Sequence, residues 1–437
     1  MTKQSLRASI EGLRKAHKAF NRTELTQEQL ADEVGCSRQP IGKFFAGKLL
    51  RRHIFREICH CLDLDWEEIA LIESEEDLLG KIALTNFEQG HYFFKQKELE
   101  HQIADYFDNL PKLQIDQQQL PLNSEAVIKS IEAQHGLLVE RARGYYSFSH
   151  LTFQEYFTAR EIVANASTQT LKELVSHITE PRWREVFLLA VGMLRKADEL
   201  LELMKQQIDE LIDSDEHFQQ VLTWCQHQYL SVKVPYKPAA VRAFYFALAT
   251  VPALYFALSL AFNVDRQRAG VFLLARALDS ALDYNPTLEL DLTLTRTLIF
   301  AQSCDRDSST YTFALYAFYA CEHALTLTFE PRLKQLLEKL YHQLPAPDAA
   351  EENLKSWWQA NGLTWAEKLR RLMIEHHHLG YNWQFNGQQK ETLNQYNSAN
   401  QLLVDCLNSD CSVSSEVRQE IEDTLLLPKF LITGAVQ

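Results

Sequence analysis

The sequence is poor in residues that end or bend helices, with 14 glycines and 12 prolines among 437 residues. Loop-rich β-sandwiches need many such residues, so the scarcity favours a mainly helical chain. Three catalytic patterns are also absent: G-x-x-x-x-G-K-[ST], G-x-S-x-G and H-E-x-x-H. Nucleotide hydrolysis of the P-loop class is therefore not expected. The same holds for the serine-hydrolase chemistry of G-x-S-x-G and the zinc-protease chemistry of H-E-x-x-H. The sequence predicts that the protein is not an enzyme.

No apolar leader is visible in residues 1–20, and the 8 cysteines are scattered along the chain. Both features predict a cytoplasmic protein with reduced thiols. Residues 243–264 carry no charge and approach the length that spans a bilayer. Pro252 and the flanking charges favour two buried helices broken at the proline instead. No membrane is expected as a partner, and a membrane-anchored sensor is the alternative.

The histidine run 376–378 with Cys406 and Cys411 is the candidate metal site. Adjacent helical side chains point about 100° apart, so the three histidines do not all face one ion. The spacing of the two cysteines is longer than the usual spacing of zinc ligands. We therefore predict no metal and no cofactor.

Charge is unevenly distributed, because residues 1–60 hold 12 Lys and Arg against 6 Asp and Glu, whereas the whole chain is −14. This predicts nucleic-acid binding by the first residues only. Residues 85–165 hold 7 Lys and Arg against 11 Asp and Glu, so a second DNA-binding surface there is not expected.

Residues 5–70 predict five short helices, and two of them form a helix-turn-helix. Thr26 and Gln29 have the spacing of a capping box, Gly35 ends that helix, and Ser37 caps the next. Ile41, Phe44 and Phe45 are predicted to face the core. The second helix of such a motif places its first residues at base edges in the major groove.

The candidate DNA contacts are polar residues of this motif and of the segment after it. Arg38 and Gln39 suit bidentate contacts to guanine and adenine, and Gln27 opens a helix where a phosphate is held. The full candidate set is Gln27, Ser37, Arg38, Gln39, Lys43, Lys48, Arg51 and Arg52.

Residues 38–45 (RQPIGKFF), 52–55 (RHIF) and 64–68 (LDWEE) resemble Cro/repressor-type helix-turn-helix domains, especially those that head cyanobacterial signalling proteins. The resemblance implies binding to double-stranded DNA, with self-association on paired half-sites. A protein-binding adaptor derived from such a domain is the alternative.

Residues 78–165 have the order helix, helix, hairpin, helix. Leu99–Leu110 and Ser124–Gln134 predict two helices, residues 137–141 and 145–148 a hairpin, and Leu151–Val163 a last helix. Asp63 to Asp77 is interpreted as an acidic junction before this segment.

Residues 148–160 (FSHLTFQEYFTAR) resemble the end of the winged helix in NACHT-family NTPases. In that family the NTPase domain lies between the helix-turn-helix and the winged helix. The resemblance is therefore to a truncated relative without that domain. It implies a nucleotide-sensing role for His150. The alternative is that this histidine is retained by ancestry or for helix capping near Ser149. Among the aromatic residues, Phe148, Phe153, Tyr156 and Phe157 are predicted to be core.

Beyond residue 165 the sequence is helical without a strict repeat. Residues 183–190, 237–244, 288–294, 357–365 and 402–411 also resemble the helical region of cyanobacterial NACHT proteins. Such helices form an α-solenoid or a bundle that binds proteins. The predicted domains are 1–72, 78–165, 166–344 and 350–437, with residues 344–348 as a linker.

The whole sequence predicts a mainly α protein: a helix-turn-helix, a winged helix with a small β-hairpin, and a helical solenoid or bundle. Its expected function is non-enzymatic, DNA-binding transcriptional or signalling regulation, with a helical sensor that binds a protein or small molecule. The alternatives are an adaptor that pairs with intact NACHT NTPases, for example in phage defence, and a gene product without a retained role.

Overall fold

A computed structural model of the chain describes residues 5–6, 8, 10–23, 25–45, 48, 50–69, 75–108, 124–125, 127–129, 131–132, 136–254, 273–280, 285–302 and 310–434. Helices dominate these residues and the sheets are small, so the predicted mainly α fold is confirmed. By its internal contacts the chain divides into two units, residues 1–165 and residues 166–437.

The first part of unit one, residues 1–72, is called the head. Its elements are β1 Ser5–Leu6, α1 Ile10–Phe20, α2 Gln27–Val34, α3 Arg38–Phe45, β2 Leu50–Arg51, α4 Arg52–Cys61 and α5 Trp66–Ile69. The five predicted helices are therefore present. The pairing of β1 with β2, which sets Ser5 opposite Arg51 and Leu6 opposite Leu50, was not predicted.

The second part of unit one has its own core. Its elements are α6 Glu75–Glu88, β3 Phe94–Lys95, α7 Gln96–Asp108, β4 Leu138–Ala142, β5 Tyr145–Phe148 and α8 Leu151–Ala164, with helical residues also within 124–132. The three strands are antiparallel in the order β3-β5-β4. The predicted hairpin is confirmed, and β3 adds a third strand to it.

Helix α6 occupies the end of the segment interpreted as an acidic junction, so that interpretation is wrong from Glu75 onward. Acidic residues are favourable in a first helical turn, because they oppose the positive end of the helix dipole. The later residues Leu78, Leu79, Ile82, Ala83 and Phe87 are buried. They follow helical spacing and supplied a signal for the helix.

Helices α6 and α8 pack closely. At Gly80 an added Cβ would lie 2.8 Å from Oε2 and 3.2 Å from Cβ of Glu161, so a larger residue here would displace the Glu161 side chain. The guanidinium of Arg160 donates to Oδ1 of Asp77 at 2.9 Å and lies 3.2 Å from Oε2 of Glu76. The acidic start of α6 is thereby tied to the end of α8.

Unit two, residues 166–437, is called the body. Its first helices are α9 Thr168–Val175, α10 Arg184–Met193 after a 3-10 turn at Pro181–Trp183, α11 Asp198–Glu210, α12 Glu216–Ser231, α13 Pro238–Leu254 and α14 Leu273–Leu278. Its later helices are α15 Pro286–Gln302, α16 Thr310–Leu327, α17 Pro331–Tyr341, α18 Glu351–His377, α19 Gly387–Asn408, α20 Ser415–Thr424 and α21 Lys429–Gly434.

The helices of the body pack across long sequence separations. Helix α19 contacts α10, α11, α13 and α14, and α15, α16 and α18 contact one another. In a solenoid each repeat contacts only its neighbours. The described helices of the body therefore resemble a bundle more than a solenoid.

The uncharged stretch 243–264 lies in α13 up to Leu254, and its remainder lies outside the described residues. Helix α13 continues past Pro252 to Leu254, so the predicted break does not occur at the proline itself. A proline lacks the donor to the carbonyl four residues earlier, which bends a helix without necessarily ending it at that residue. Within the described ranges, no helix is long and apolar enough to cross a bilayer.

Arg242 is a buried cation on α13 that holds the end of α20. Its Nε donates to the carbonyl of Leu425 at 2.8 Å, and its Nη2 to those of Asp423 at 2.7 Å and Glu422 at 3.4 Å. Burial lowers the pKa of Arg242 to about 10, which leaves the guanidinium charged at neutral pH. The last carbonyls of a helix have no intrahelical donors, and the guanidinium of Arg242 supplies donors to these carbonyls at the end of α20.

A second set of buried polar side chains, one each from α13, α15 and α18, joins these three helices. The hydroxyl of Tyr245 donates to Oδ2 of Asp291 at 2.6 Å, and Nδ1 of His377 lies 2.6 Å from Oδ1. Burial and the neighbouring carboxylate raise the pKa of Tyr245 well above its usual value, so the phenol remains a donor. Burial lowers the pKa of His377, but the hydrogen bond and charge of Asp291 outweigh that and raise it overall.

Candidate nucleic-acid interface

The turn between α2 and α3 is fixed by local caps. Oγ1 of Thr26 accepts from the Gln29 amide at 3.3 Å, and the Thr26 amide donates to Oε1 of Gln29 at 2.9 Å. Gly35 has φ +69°, a conformation that glycine adopts without strain. The Cys36 amide donates to the carbonyl of Ala31 at 2.9 Å. The predicted capping box and glycine stop are confirmed.

Helix α3 has one buried face and one exposed face. Ile41 and Phe44 are buried, as predicted, and Phe45 is half-buried with its ring centroid 4.9 Å from that of Phe20. The exposed residues at and beyond the start of the helix are Ser37, Arg38, Gln39 and Lys43. Four of the eight candidate contacts are therefore exposed at the start of α3 or along it.

Arg38 lies near a carboxylate of the preceding helix, because its Nη1 is 3.5 Å from Oε1 of Glu28. Both side chains are exposed, and exposed ion pairs contribute little stability. A nucleic acid can therefore recruit the guanidinium at small energetic cost.

The remaining candidates lie before and after α3. Gln27 is half-buried, whereas Lys48, Arg51 and Arg52 are exposed. Arg52 places its guanidinium 4.9 Å from the centroid of the Trp66 ring, which is a cation–π contact.

Arg56 was not among the predicted contacts, although it lies one turn after Arg52 and its guanidinium is 5.2 Å from the centroid of the same ring. The spacing of four residues on a helix was the available signal. Together these side chains can provide base-edge donors on α3 and phosphate contacts around it. Among the residues that the structure describes, no group of three or more His, Cys, Asp or Glu could hold a metal ion.

His150 is exposed at the position before α8. Its side chain makes no capping hydrogen bond, so the capping explanation for this histidine is not supported. The ring centroid of His150 lies 6.0 Å from that of Phe153. A role of His150 in nucleotide sensing stays a prediction.

Two of the four aromatic residues predicted as core are instead exposed. Phe148 and Phe157 are buried, but Phe153 is 37% exposed and Tyr156 is 42% exposed. Residues three apart share one side of a helix, and here the opposite side packs on α6. The first half of α8 thus carries an aromatic face, defined as His150, Phe153 and Tyr156.

Two segments match known domain families. Residues 67–162 match the family model of the winged helix-turn-helix domain C-terminal to NACHT, and residues 333–428 match NACHT C-terminal Helical domain 2. No curated protein and no solved structure matches the chain significantly. The two matches are to non-catalytic domains, and they support a relative of NACHT proteins with no NTPase domain between the head and the winged helix.

Proposed function

From these two NACHT-associated domains, we propose that the protein is a non-enzymatic regulator whose head binds double-stranded DNA and whose body receives a protein or small-molecule signal. One observation carries the proposal: Ser37 just before α3, and Arg38, Gln39 and Lys43 on it, are exposed, whereas Ile41 and Phe44 of the same helix are buried. A helix that presents such residues beside a capped turn has the geometry of a base-reading helix.

The positive charge next to α3 also supports DNA binding by this part of the head. Lys48, Arg51 and Arg52 are exposed next to α3 and attract phosphates without regard to sequence. The body is acidic and contributes no such attraction. Binding by the head is therefore expected to weaken with salt, because each neutralised phosphate releases counterions.

Arg38→Ala is expected to weaken duplex binding by about 1–3 kcal/mol, the range for a bidentate base contact. The measurement is fluorescence anisotropy at two salt concentrations. The labelled duplexes are of random sequence or are taken from the genomic region upstream of the gene. Lys43→Ala should weaken binding to all sequences more evenly.

Arg371→Ala is the matched control, because it removes from the body one arginine that is also largely exposed. Its affinity should equal that of the unchanged protein. Salt-independent binding, or equal affinity of Arg38→Ala and Arg371→Ala, would contradict DNA recognition by α3.

A second function, an adaptor that pairs with an intact NACHT NTPase, is favoured by the aromatic face of α8. Exposed rings close together are typical of the centres of protein interfaces.

Replacing Phe153 and Tyr156 together with serine is expected to reduce co-purification with an intact NACHT protein at least about ten-fold, as for an interface centre. The melting temperature should change little, because both side chains are exposed. The control Thr152→Ala changes an exposed non-aromatic residue of the same helix. Undiminished co-purification of the double variant would exclude this face as the interface.

A further inference from the structure

The body contains a small cavity of about 120 Å³ beside the segment that follows α18. Its walls come from α12, α13, α15, α18 and residues 379–383, which lead toward α19. At roughly 10–15 Å³ for each water-sized position, such a cavity admits on the order of ten non-hydrogen atoms. It is smaller than a drug-sized pocket and has the size for a molecule with a single ring.

Gly380 brings the segment 379–383 close to the helices. Its φ is +83°, a conformation that glycine adopts without strain. An added Cβ would lie 3.2 Å from Cδ2 of Leu298 on α15 and 3.5 Å from Cγ of Arg370 on α18. This close approach places the next residues of the segment, Tyr381 and Trp383 among them, in the wall of the cavity.

Three aromatic side chains line the cavity: Trp224, Tyr381 and Trp383. The ring centroid of Trp383 lies 6.0 Å from that of Trp224 and 6.1 Å from that of Tyr381. The indole of Trp224 is held in place, because its Nε1 donates to the carbonyl of His378 at 2.8 Å. Tyr381 is 43% exposed and Trp383 is half-buried. Ring surface in the cavity wall therefore favours a flat aromatic ligand.

The charge of the cavity wall is positive. Among the described residues that line it, only Arg370 is charged, and its side chain is 25% exposed. Its Nη1 donates to Oε2 of Glu367 at 3.1 Å, and Oε1 of the same carboxylate lies 3.5 Å from Nε of Arg371. Two guanidinium groups thus share one carboxylate, which leaves an excess positive charge. Gln302 and Asn382, both exposed, add neutral amides to the wall.

We propose that this cavity binds a small aromatic carboxylate with one ring. The ring packs against Trp224, Tyr381 and Trp383, and the carboxylate accepts hydrogen bonds from the terminal N–H groups of Arg370. Such a ligand is the small-molecule signal of the proposed function, so its role as a signal rests on that function. Its binding to the body is measured without DNA, so either can fail while the other holds.

The test is ligand-observed NMR titration of the full chain with benzoate, benzamidinium and acetate, each added alone. Saturable binding of benzoate and a higher melting temperature are expected. Benzamidinium has the same ring with the opposite charge and should bind at least about ten-fold more weakly. Acetate has the charge without the ring and should also bind at least about ten-fold more weakly.

Two variants test the two halves of the site. Arg370→Gln should weaken benzoate binding by at least about ten-fold, because it removes a charge-assisted hydrogen bond. Tyr381→Ser should weaken it roughly three- to ten-fold, because one ring contact is lost. Arg371→Gln is the matched control: Arg371 pairs with the same Glu367, is 79% exposed and, among the described residues, is not part of the cavity wall.

Three results would overturn the proposal: no saturable binding of benzoate, binding of benzamidinium as tight as that of benzoate, or equal affinity of Arg370→Gln and Arg371→Gln for benzoate. Thermal unfolding shows whether each variant folds. Should Arg370→Gln fail to fold, the comparison of benzoate with benzamidinium on the unchanged protein decides, together with Tyr381→Ser at its exposed position.

Discussion

Arg242→Met is expected to lower the free energy of unfolding of the body by about 3 kcal/mol. Methionine retains the apolar stem of the side chain but leaves the carbonyls of Leu425 and Asp423 without their charged donor. The measurement is equilibrium urea unfolding followed by tryptophan fluorescence. Six of the 7 tryptophans of the chain follow residue 165, so the signal reports mainly on the body.

Arg371→Met is the control for this prediction, because Arg371 is largely exposed and its nearest carboxylate oxygen is 3.5 Å away. Its effect should stay within about 0.5 kcal/mol, as is usual for surface positions. If the two variants unfold at the same urea concentration, the guanidinium of Arg242 does not hold the end of α20.

Asp291→Ala is expected to lower the free energy of unfolding by a similar amount, about 3 kcal/mol near neutral pH. The change leaves the buried hydroxyl of Tyr245 without an acceptor and the imidazole of His377 without its carboxylate. Urea unfolding of the variant and the unchanged protein measures the difference. Asp405→Ala, which removes a partly exposed carboxylate from α19, should cost less.

The difference between the Asp291 variant and the unchanged protein should also depend on pH. Because the pKa of His377 is raised in the folded protein, the folded state binds the proton more tightly than the unfolded state. The contribution of the His377–Asp291 pair to the free energy of unfolding is fully present below the unfolded pKa of about 6.5 and is lost as pH rises through the folded pKa. The free energies of unfolding of the variant and the unchanged protein should therefore differ more at about pH 6 than at about pH 9. A difference that grows with pH would contradict the proposed charge pair.

The parts of the fold that depend on neighbouring residues were predictable from the sequence. The capping box at Thr26 and the left-handed glycine at 35 each act within a few residues, and both were found. Helix α6 was missed although its apolar spacing was visible, because the acidic cluster before Leu78 was interpreted as a junction. Acidic residues also begin helices, and the apolar residues after them decide between the two.

Other features were not predictable from local patterns. Tyr245, Asp291 and His377 are 46 and 86 residues apart along the chain, and only tertiary packing brings them together. Phe153 and Tyr156 were assigned to the core because of their residue type. Their exposure follows from the packing of α8 on α6, a helix that the sequence analysis lacked. The candidate DNA contacts Ser37, Arg38, Gln39 and Lys43 are exposed, and their function stays a prediction for the duplex titration to test.

The pairing of β1 with β2 has a practical consequence for every binding experiment on the head. Ser5 lies opposite Arg51, and Arg52 is the next residue, so β1 runs beside two proposed phosphate contacts. A polyhistidine tag or fluorescent protein fused ahead of Ser5 would be tethered next to them, where it could compete with DNA or block it sterically. Purification handles and fluorophores therefore belong at the other end of the protein.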